Sequence, residues 1–427
     1  MRSRLVITLL VFGAAGGGAA PAAQAYDDSA LRSTIARQMR LAGPSSGAYV
    51  RDLGSGQELF ALREDVLRIP ASVEKLYTTS AAILRLGPSA TLQTKVVTAG
   101  ATAVDSEGVL RGDLFLVGGG DPFFGDEEAA TLAGEVKSAG IKRIEGALLG
   151  DESAFDQRRS GCCRGYDFEL GGVLSALAYD RGIFHGRARV DAARFAATRF
   201  AAQLRKVGIR TTGPSEAAGA PSGARVIASV RSMPVGQLAR FVNVPSNNFA
   251  AEMLLKGLGA RYGGAGTSSK GAEVVRETLQ STGARPRVAD GSGLSRLNRT
   301  TPREVVRLLD SMHRRSSAST FRSSLAIPGV TGTVKRRMRG TAASRGCRVK
   351  TGTLRNVSAL AGYCRAVGGR DIGFALLFNR VIPYGAKVIE DRIATAIARL
   401  DAPASAAPTT QPPPAGGENG GTSGQQR

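Results

Sequence analysis

Between about residues 92 and 231 the chain changes texture. Short β-rich runs at 94–97, 114–117 and 226–230 alternate there with Gly-rich turns and some helix. The flanks read differently. Before the break come a polar-faced helix (30–41), a strand (47–53) closed by Gly54-Ser55-Gly56, and a helix (71–86) stopped by Gly87-Pro88. After it come helical runs at 235–242, 249–258, 272–281 and 302–313, a strand-rich stretch at 347–378 and a closing helix at 386–400. Two flanks of one kind around a segment of another predict one domain opened by an insertion: a host built from 26–92 and 223–400, and an inserted β-rich domain at 93–222. Hydrophobic residues make up 42% of the 427, enough for a core in each.

The two ends read as neither. Arg2 and Arg4 precede an apolar run from Leu5 to about Ala15, and Ala23-Gln24-Ala25 ends the stretch. These are the parts of a cleavable signal peptide spanning 1–25, which predicts a secreted, extracytoplasmic protein. A transmembrane anchor is the competing reading, but the run is short for a span. After Asp401 the composition falls to Pro, Ala, Gly, Thr and Gln, so 401–427 is expected to be a disordered tail. The net charge of +22 would suit a nucleic-acid binder, yet the arginines are scattered and an exported protein meets little nucleic acid. Anionic wall polymers, a membrane surface, or a merely soluble basic surface fit it instead. Trp is absent and aromatics are 5%, which argues against stacking platforms.

Chemistry is constrained first by what is missing. The two histidines, His185 and His313, have no metal-ligand partners at the usual spacing, and the four cysteines show no paired C-x-x-C, so no metal and no cofactor is expected. No G-x-S-x-G elbow is present for a Ser-His-Asp arrangement. A serine nucleophile without histidine needs another base, and a lysine kept neutral can serve. Ser72-Val73-Glu74-Lys75 places a hydroxyl and an amine three residues apart at the head of the helix predicted from Ala71, on one face. Burial and the positive helix end would both favour the neutral amine. Taken alone, Lys75 reads equally as an exposed helix lysine. Ser246-Asn247-Asn248, where a loop enters a helix, reads alone as a cap, and Lys350-Thr351-Gly352 as an edge-strand lysine beside a turn. Gly118-Gly119-Gly120 lacks the Gly-Lys-Ser/Thr of a phosphate loop and is expected, with Asp121-Pro122, in a surface loop.

The ordered set Ser-x-x-Lys, Ser-x-Asn, Lys-Thr-Gly resembles that of penicillin-binding proteins and serine β-lactamases. Residues 70–79, 116–122, 245–252, Asp290-Gly291-Ser292-Gly293-Leu294-Ser295-Arg296 and 349–363 further resemble the D-alanyl-D-alanine carboxypeptidase/endopeptidases of peptidase family S13, the low-molecular-mass class C penicillin-binding proteins. The resemblance implies an α/β (α+β) fold of the penicillin-binding, β-lactamase-like type, an antiparallel sheet between helices on both faces. It implies a serine D-Ala-D-Ala carboxypeptidase acting on peptidoglycan stem peptides and acylated by β-lactam antibiotics. D,D-endopeptidase action on cross-links would use the same site. Ser72 would attack and Lys75 would take its proton. Backbone amides of Ser72 and Thr353 would form the oxyanion hole. Ser246 would pass a proton to the leaving D-alanine with help from Lys350, Asn248 would hold the substrate amide, and Thr351, Gly352 and Thr353 would line the carboxylate subsite. Two other readings stay open: a class A-like β-lactamase, against which the missing Glu-x-x-Leu-Asn stretch and the large insert argue, and a non-catalytic binder of anionic wall polymer.

Cys347 and Cys364 lie outside the family pattern. If Arg355-Asn356 is a two-residue hairpin turn, counting outward sets Cys347 opposite Cys364, which suits a cross-strand disulfide; two separate buried thiols are the alternative. Cys162 and Cys163 are adjacent in a Gly-rich loop, and their state is not legible.

Overall fold

The computed structural model describes residues 26–100, 104–160 and 166–401. The expected signal peptide, the Cys162-Cys163 pair and the tail beyond Asp401 lie outside these residues. The host domain is organised by a five-stranded sheet. Its strands are β1 (Ser46–Asp52), β2 (Glu58–Leu62), β8 (Cys347–Leu354), β9 (Val357–Arg365) and β10 (Asp371–Asn379), in the order β8-β9-β10-β1-β2. Every neighbouring pair is antiparallel.

The strand sequences explain why both faces are covered. The runs VSALAGYC in β9 and IGFALLF in β10 are apolar almost without interruption, and alternate residues point to opposite faces. Ala359, Ala361, Tyr363, Ala375 and Leu377 enter a core with helices α2 (Lys75–Leu86), α5 (Val235–Asn243), α6 (Asn248–Tyr262), α7 (Ser268–Leu279) and α8 (Pro302–His313). Leu360, Cys364, Ile372, Phe374, Leu376 and Phe378 enter a second core with α1 (Asp28–Leu41) and the closing helix α9 (Pro383–Ala398). The helix starts follow from capping chemistry: Asp27, Thr267 and Thr301 each accept the amide of the residue three positions on, and Pro302 follows Thr301 at the first helical position.

The inserted segment leaves after Leu92 and returns at Ser232. At this neck Ser232 N donates to Leu92 O at 2.8 Å, and Leu92 N to Ser232 Oγ at 2.9 Å. Its main sheet runs β6-β5-β4-β3-β7, from β3 (Gln93–Thr98), β4 (Leu114–Val117), β5 (Leu148–Asp151), β6 (Ser215–Ala217) and β7 (Arg225–Arg231). β7 pairs antiparallel with β3, so this sheet closes beyond residue 222, inside the stretch that the sequence reading gave to the host. Two helices, α3 (Asp126–Ser138) and α4 (Ala192–Lys206), pack on the sheet, so the insert is mixed rather than mainly β. The Gly118–Asp121 stretch is also not the surface loop expected: a Cβ at Gly118 would lie 2.2 Å from Ala176 O, one at Gly119 2.0 Å from Gln93 O, and Asp121 is buried. Close backbone packing, and no phosphate, accounts for those glycines.

A second patch ties insert to host. Phe155, Leu170, Leu174, Ala176 and Ala178 pack on Phe249 and Met253 of α6. Lys256 of the same helix, fully buried, pairs with Asp156 at 2.5 Å and donates to Arg158 O at 3.0 Å. The insert therefore grips the helix that begins at Asn248. Among the described residues no helix is long and apolar enough to cross a membrane.

Candidate active site

Ser72 does not sit on an α-helix as the sequence suggested. Ala71 has φ +48°, which an α-helix cannot contain, so Ala71–Glu74 forms a 3-10 turn and α2 begins only at Lys75. The hydroxyl thus stands on a tight turn ahead of the helix. The Lys75 amine reaches back to it, with Nζ 3.0 Å from Ser72 Oγ. The same amine donates to Asn248 Oδ1 at 2.6 Å and to the Ser292 carbonyl. These three acceptors come from three separate motifs.

The opposite wall is the edge strand β8. Lys350 Nζ lies 2.9 Å from Ser246 Oγ and 2.7 Å from Thr351 O. Gly352 is required where it stands: a Cβ would lie 2.6 Å from Pro70 O and 3.1 Å from Ser72 N. A side chain would push β8 off the turn that carries Ser72. Thr353 follows on β8 and is exposed, paired in register with Ser358. Thr351 Oγ1 shares a 2.7 Å hydrogen bond with Thr333 Oγ1, and the Thr333 amide donates to Val244 O, next to the Ser246 loop. Ser246 has φ +62°, a second non-glycine residue held in the left-handed region beside the site. Asn247, not Ser246, caps α6 by accepting from Ala250 N, which leaves the Ser246 hydroxyl to Lys350.

Electrostatics set the two amines apart from ordinary lysines. Lys75 is fully buried, and its pKa falls to about 8 because burial disfavours the cation; Asp290, Glu252 and Glu74 oppose that fall. Lys350, equally buried, is pushed well below the usual lysine range by desolvation and then by the charge of Lys75. Both therefore have access to the neutral form that a base needs.

Sequence reasoning left the Asp290–Arg296 stretch without a role, and did not single out Glu252. Glu252 lies one helical turn beyond Asn248 on α6. Its Oε1 accepts from Gly291 N (2.9 Å) and Ser292 N (2.7 Å), which aims the Ser292 carbonyl at Lys75. Asp290 in turn accepts from Gly293 N, Ser295 N and Asn298 Nδ2. Gly293, at φ +84°, lets this loop pass close under Ala71, where a Cβ would lie 2.0 Å from the carbonyl. Burial, then the Asp290 charge, raises Glu252 to about 7; burial raises Glu74 well above its usual range. The only hint in the sequence was the i, i+4 spacing of Asn248 and Glu252 on one face.

Cys347 and Cys364 stand opposite each other at the open end of the β8–β9 hairpin and are disulfide-bonded, both fully buried. The bond ties the strand that carries Lys350 to its inner neighbour. The histidines are elsewhere: His185 packs on Phe184 in the insert, and His313 ends α8. Among the described residues no group of three His, Cys, Asp or Glu could hold a metal.

The profile of the D-Ala-D-Ala carboxypeptidase 3 (S13) family matches residues 28–166 and 166–400. A D-alanyl-D-alanine carboxypeptidase from Actinomadura sp. (strain R39) is 29% identical over 84% of this chain and 82% of its own length. Carboxypeptidase Rv3627c of Mycobacterium tuberculosis is 28% identical over 88% of this chain and 86% of its own. Among solved structures, penicillin binding protein 4 (dacB) from Haemophilus influenzae superposes with a TM-score of 0.72 at 21% identity, covering 84% of this chain and 97% of that one. The penicillin G-acylated predatory endopeptidase Bd3459 from Bdellovibrio bacteriovorus, in complex with an immunity protein, gives 0.53 at 19% identity, over 86% and 96%. These two structural likenesses speak for the fold.

Proposed function

The chain belongs to the D-Ala-D-Ala carboxypeptidase 3 (S13) family, and we propose from that membership that it is a serine D-Ala-D-Ala carboxypeptidase working on peptidoglycan stem peptides and open to acylation by penicillins. One observation carries the reading. The buried Lys75 amine touches the Ser72 hydroxyl, while a second buried amine, Lys350 on the facing strand, reaches Ser246.

The reaction follows from these contacts. Neutral Lys75 takes the Ser72 proton as Oγ bonds to the carbonyl carbon between the two D-alanines. The developing oxyanion lies between the backbone amides of Ser72 and Thr353, which the Gly352 contact keeps close. Ser246 delivers a proton to the departing amine as the C–N bond breaks and draws a replacement from the protonated Lys350 bonded to it. D-Alanine leaves, and the peptide stays esterified to Ser72. Water then attacks the ester, its proton passing through Ser246 back to Lys350, and Ser72 Oγ leaves with the proton that Lys75 had taken. A terminal carboxylate arriving beside Lys350 would favour its protonated form, and that cation with the hydroxyls of Thr351 and Thr353 would receive it. Asn248, bridging Lys75 and the Glu169 carbonyl (2.7 Å) of the insert, stands where it can also hold the substrate amide.

The site of action we propose is outside the cytoplasm. A leader with the parts of a cleavable signal and a disulfide between Cys347 and Cys364 both suit export into an oxidising compartment. N-terminal sequencing of protein from the producing cells should begin at Tyr26; a cytoplasmic pool that keeps Met1 would refute it. The activity itself is tested by D-alanine release from a peptide ending in D-Ala-D-Ala. Wild-type protein should release one equivalent per peptide, Ser72→Ala none. Release by Ser72→Ala would overturn the assignment.

A further inference from the structure

Beside the turn that carries Ser72 lies a cavity of about 630 Å³ lined by five arginines, Arg63, Arg68, Arg296, Arg299 and Arg380, and by no carboxylate. Many surface arginines of this basic chain have no acidic partner, but the two other buried ones among the described residues do: Arg159 takes Glu152, and Arg370 takes Asp28 and Asp52. The partly buried Arg303 takes Glu58, Glu64 and Asp65, and Arg337 takes Glu390 and Asp391. Glu64 and Asp65 follow Arg63 directly in the chain, yet both turn to Arg303. Among the described residues none of the five cavity arginines has an acidic partner.

Arg68 makes the imbalance plain. It is 3% exposed, and its guanidinium donates only to the carbonyls of Ser45, Ser46, Arg63 and Val66, at 2.8–3.2 Å. Carbonyls fix its geometry but carry no net charge. Burial and the adjacent Arg63 lower its pKa to about 10, the mark of an unanswered positive charge. The backbone makes room for it: a Cβ at Gly47 would lie 2.6 Å from Arg68 Nη1. The other four keep donors to spare. Arg63 spends two nitrogens on Ser46 O and Gly43 O, Arg299 one on Arg296 O and Asn298 O, and Arg296 one on Arg355 O. Arg380 is exposed, and its neighbour Asn379 is fastened to Ile69 by hydrogen bonds of 3.0 and 3.1 Å, so the backbone at the rim is held.

We infer that this cavity binds a linear polyanion of the phosphodiester class. A lone carboxylate would answer one of five charges. A chain with a phosphate in every repeat answers several, and each phosphate can accept the paired donors of a guanidinium fork. Ile69 and Asn356 both line the cavity, each three residues from Ser72 and Thr353 respectively. A polymer held there keeps the catalytic edge against the matrix that contains the substrate. This last point rests on the proposed wall substrate; the binding itself does not.

The test is equilibrium binding of labelled poly(glycerol phosphate) of defined length to the mature protein between 0.05 and 0.3 M salt. Arg299→Gln/Arg380→Gln should weaken binding about tenfold or more and flatten its salt dependence, as lost phosphate contacts do. Arg194→Gln/Arg205→Gln, an equal charge change on the exposed face of α4, should stay within about twofold. Equal losses in both doubles would reduce the effect to diffuse charge and overturn the site. Equal affinity for polyglutamate of matched charge would overturn the phosphodiester class. Phenylglyoxal labelling with peptide mapping needs no variant: the polymer should protect Arg296, Arg299 and Arg380 but not Arg194. Absence of such protection contradicts the site even where a variant fails to fold. Protein that binds no polymer but is acylated at Ser72 loses this inference and keeps the reading above.

Discussion

Acylation should be controlled by the charge on Lys75, and the structure supplies the sign and size of that control. The base must be neutral, so the rate follows the unprotonated fraction. With its pKa at about 8, Lys75 is neutral in about 1% of molecules at pH 6, about 10% at pH 7 and half at pH 8. The second-order rate of acylation by a fluorescent penicillin should therefore rise about tenfold from pH 6 to 7 and about fivefold from 7 to 8, then level off. Glu252 provides the perturbation. Its charge, carried above pH about 7 where the carboxyl ionises, favours the Lys75 cation, in opposition to the desolvation that lowers the pKa. Glu252→Gln keeps an acceptor for the Gly291 and Ser292 amides but removes that charge. The Lys75 pKa must then fall, and the acid limb should move to lower pH by half a pH unit or more, as a Coulomb interaction of about 1 kcal/mol requires. Stopped-flow fluorescence from pH 6 to 9 on both proteins measures it. A flat wild-type profile, or a limb that moves upward in Glu252→Gln, would refute the reasoning. Full acylation by Lys75→Ala would move the base to Lys350.

Asn248→Asp gives the opposite sign: a carboxylate 2.6 Å from the amine should raise the Lys75 pKa and carry the limb to higher pH in the same assay. Gly352→Ala should lower acylation about a hundredfold while unfolding at nearly the wild-type temperature, since its Cβ would drive β8 from the Ser72 turn; an unchanged rate would show that the contact is slack. Replacing Cys347 and Cys364 by serine should cost about 3 kcal/mol in urea unfolding, the value for a loop of 17 residues, and an unaltered midpoint would mean the bond braces nothing.

Much of the site was legible because its chemistry is local in sequence. Ser72 and Lys75 are three residues apart, Ser246 and Asn248 two, and Lys350 opens its own motif, so residue type and order sufficed to collect them. The cysteine pairing was legible for a different reason: a two-residue turn at Arg355-Asn356 fixes the register of both strands. What escaped depends on tertiary contact. Glu252 acts through the Gly291–Ser292 backbone, 39 residues away, and a buried glutamate on a helix looks like any other in the sequence. The turn at Ser72 read as helix because Ala71-Ser72-Val73-Glu74 has helical composition; the left-handed Ala71 that breaks it is held by Gly293 and Gly352 on either side. The glycine run at 118–120 read as a loop, since composition does not tell a turn from a place where two backbones meet. α3 and α4 read only as some helix without bounds, because the short strands and glycine turns around them dominated the texture of the insert.

The most direct test of the account is to incubate mature protein with a fluorescent penicillin and map the labelled peptide, beside Ser72→Ala. The account predicts one persistent adduct, on the peptide containing Ser72, and none in the variant. An adduct on another residue, turnover so fast that no adduct accumulates, or no reaction by folded protein would contradict it.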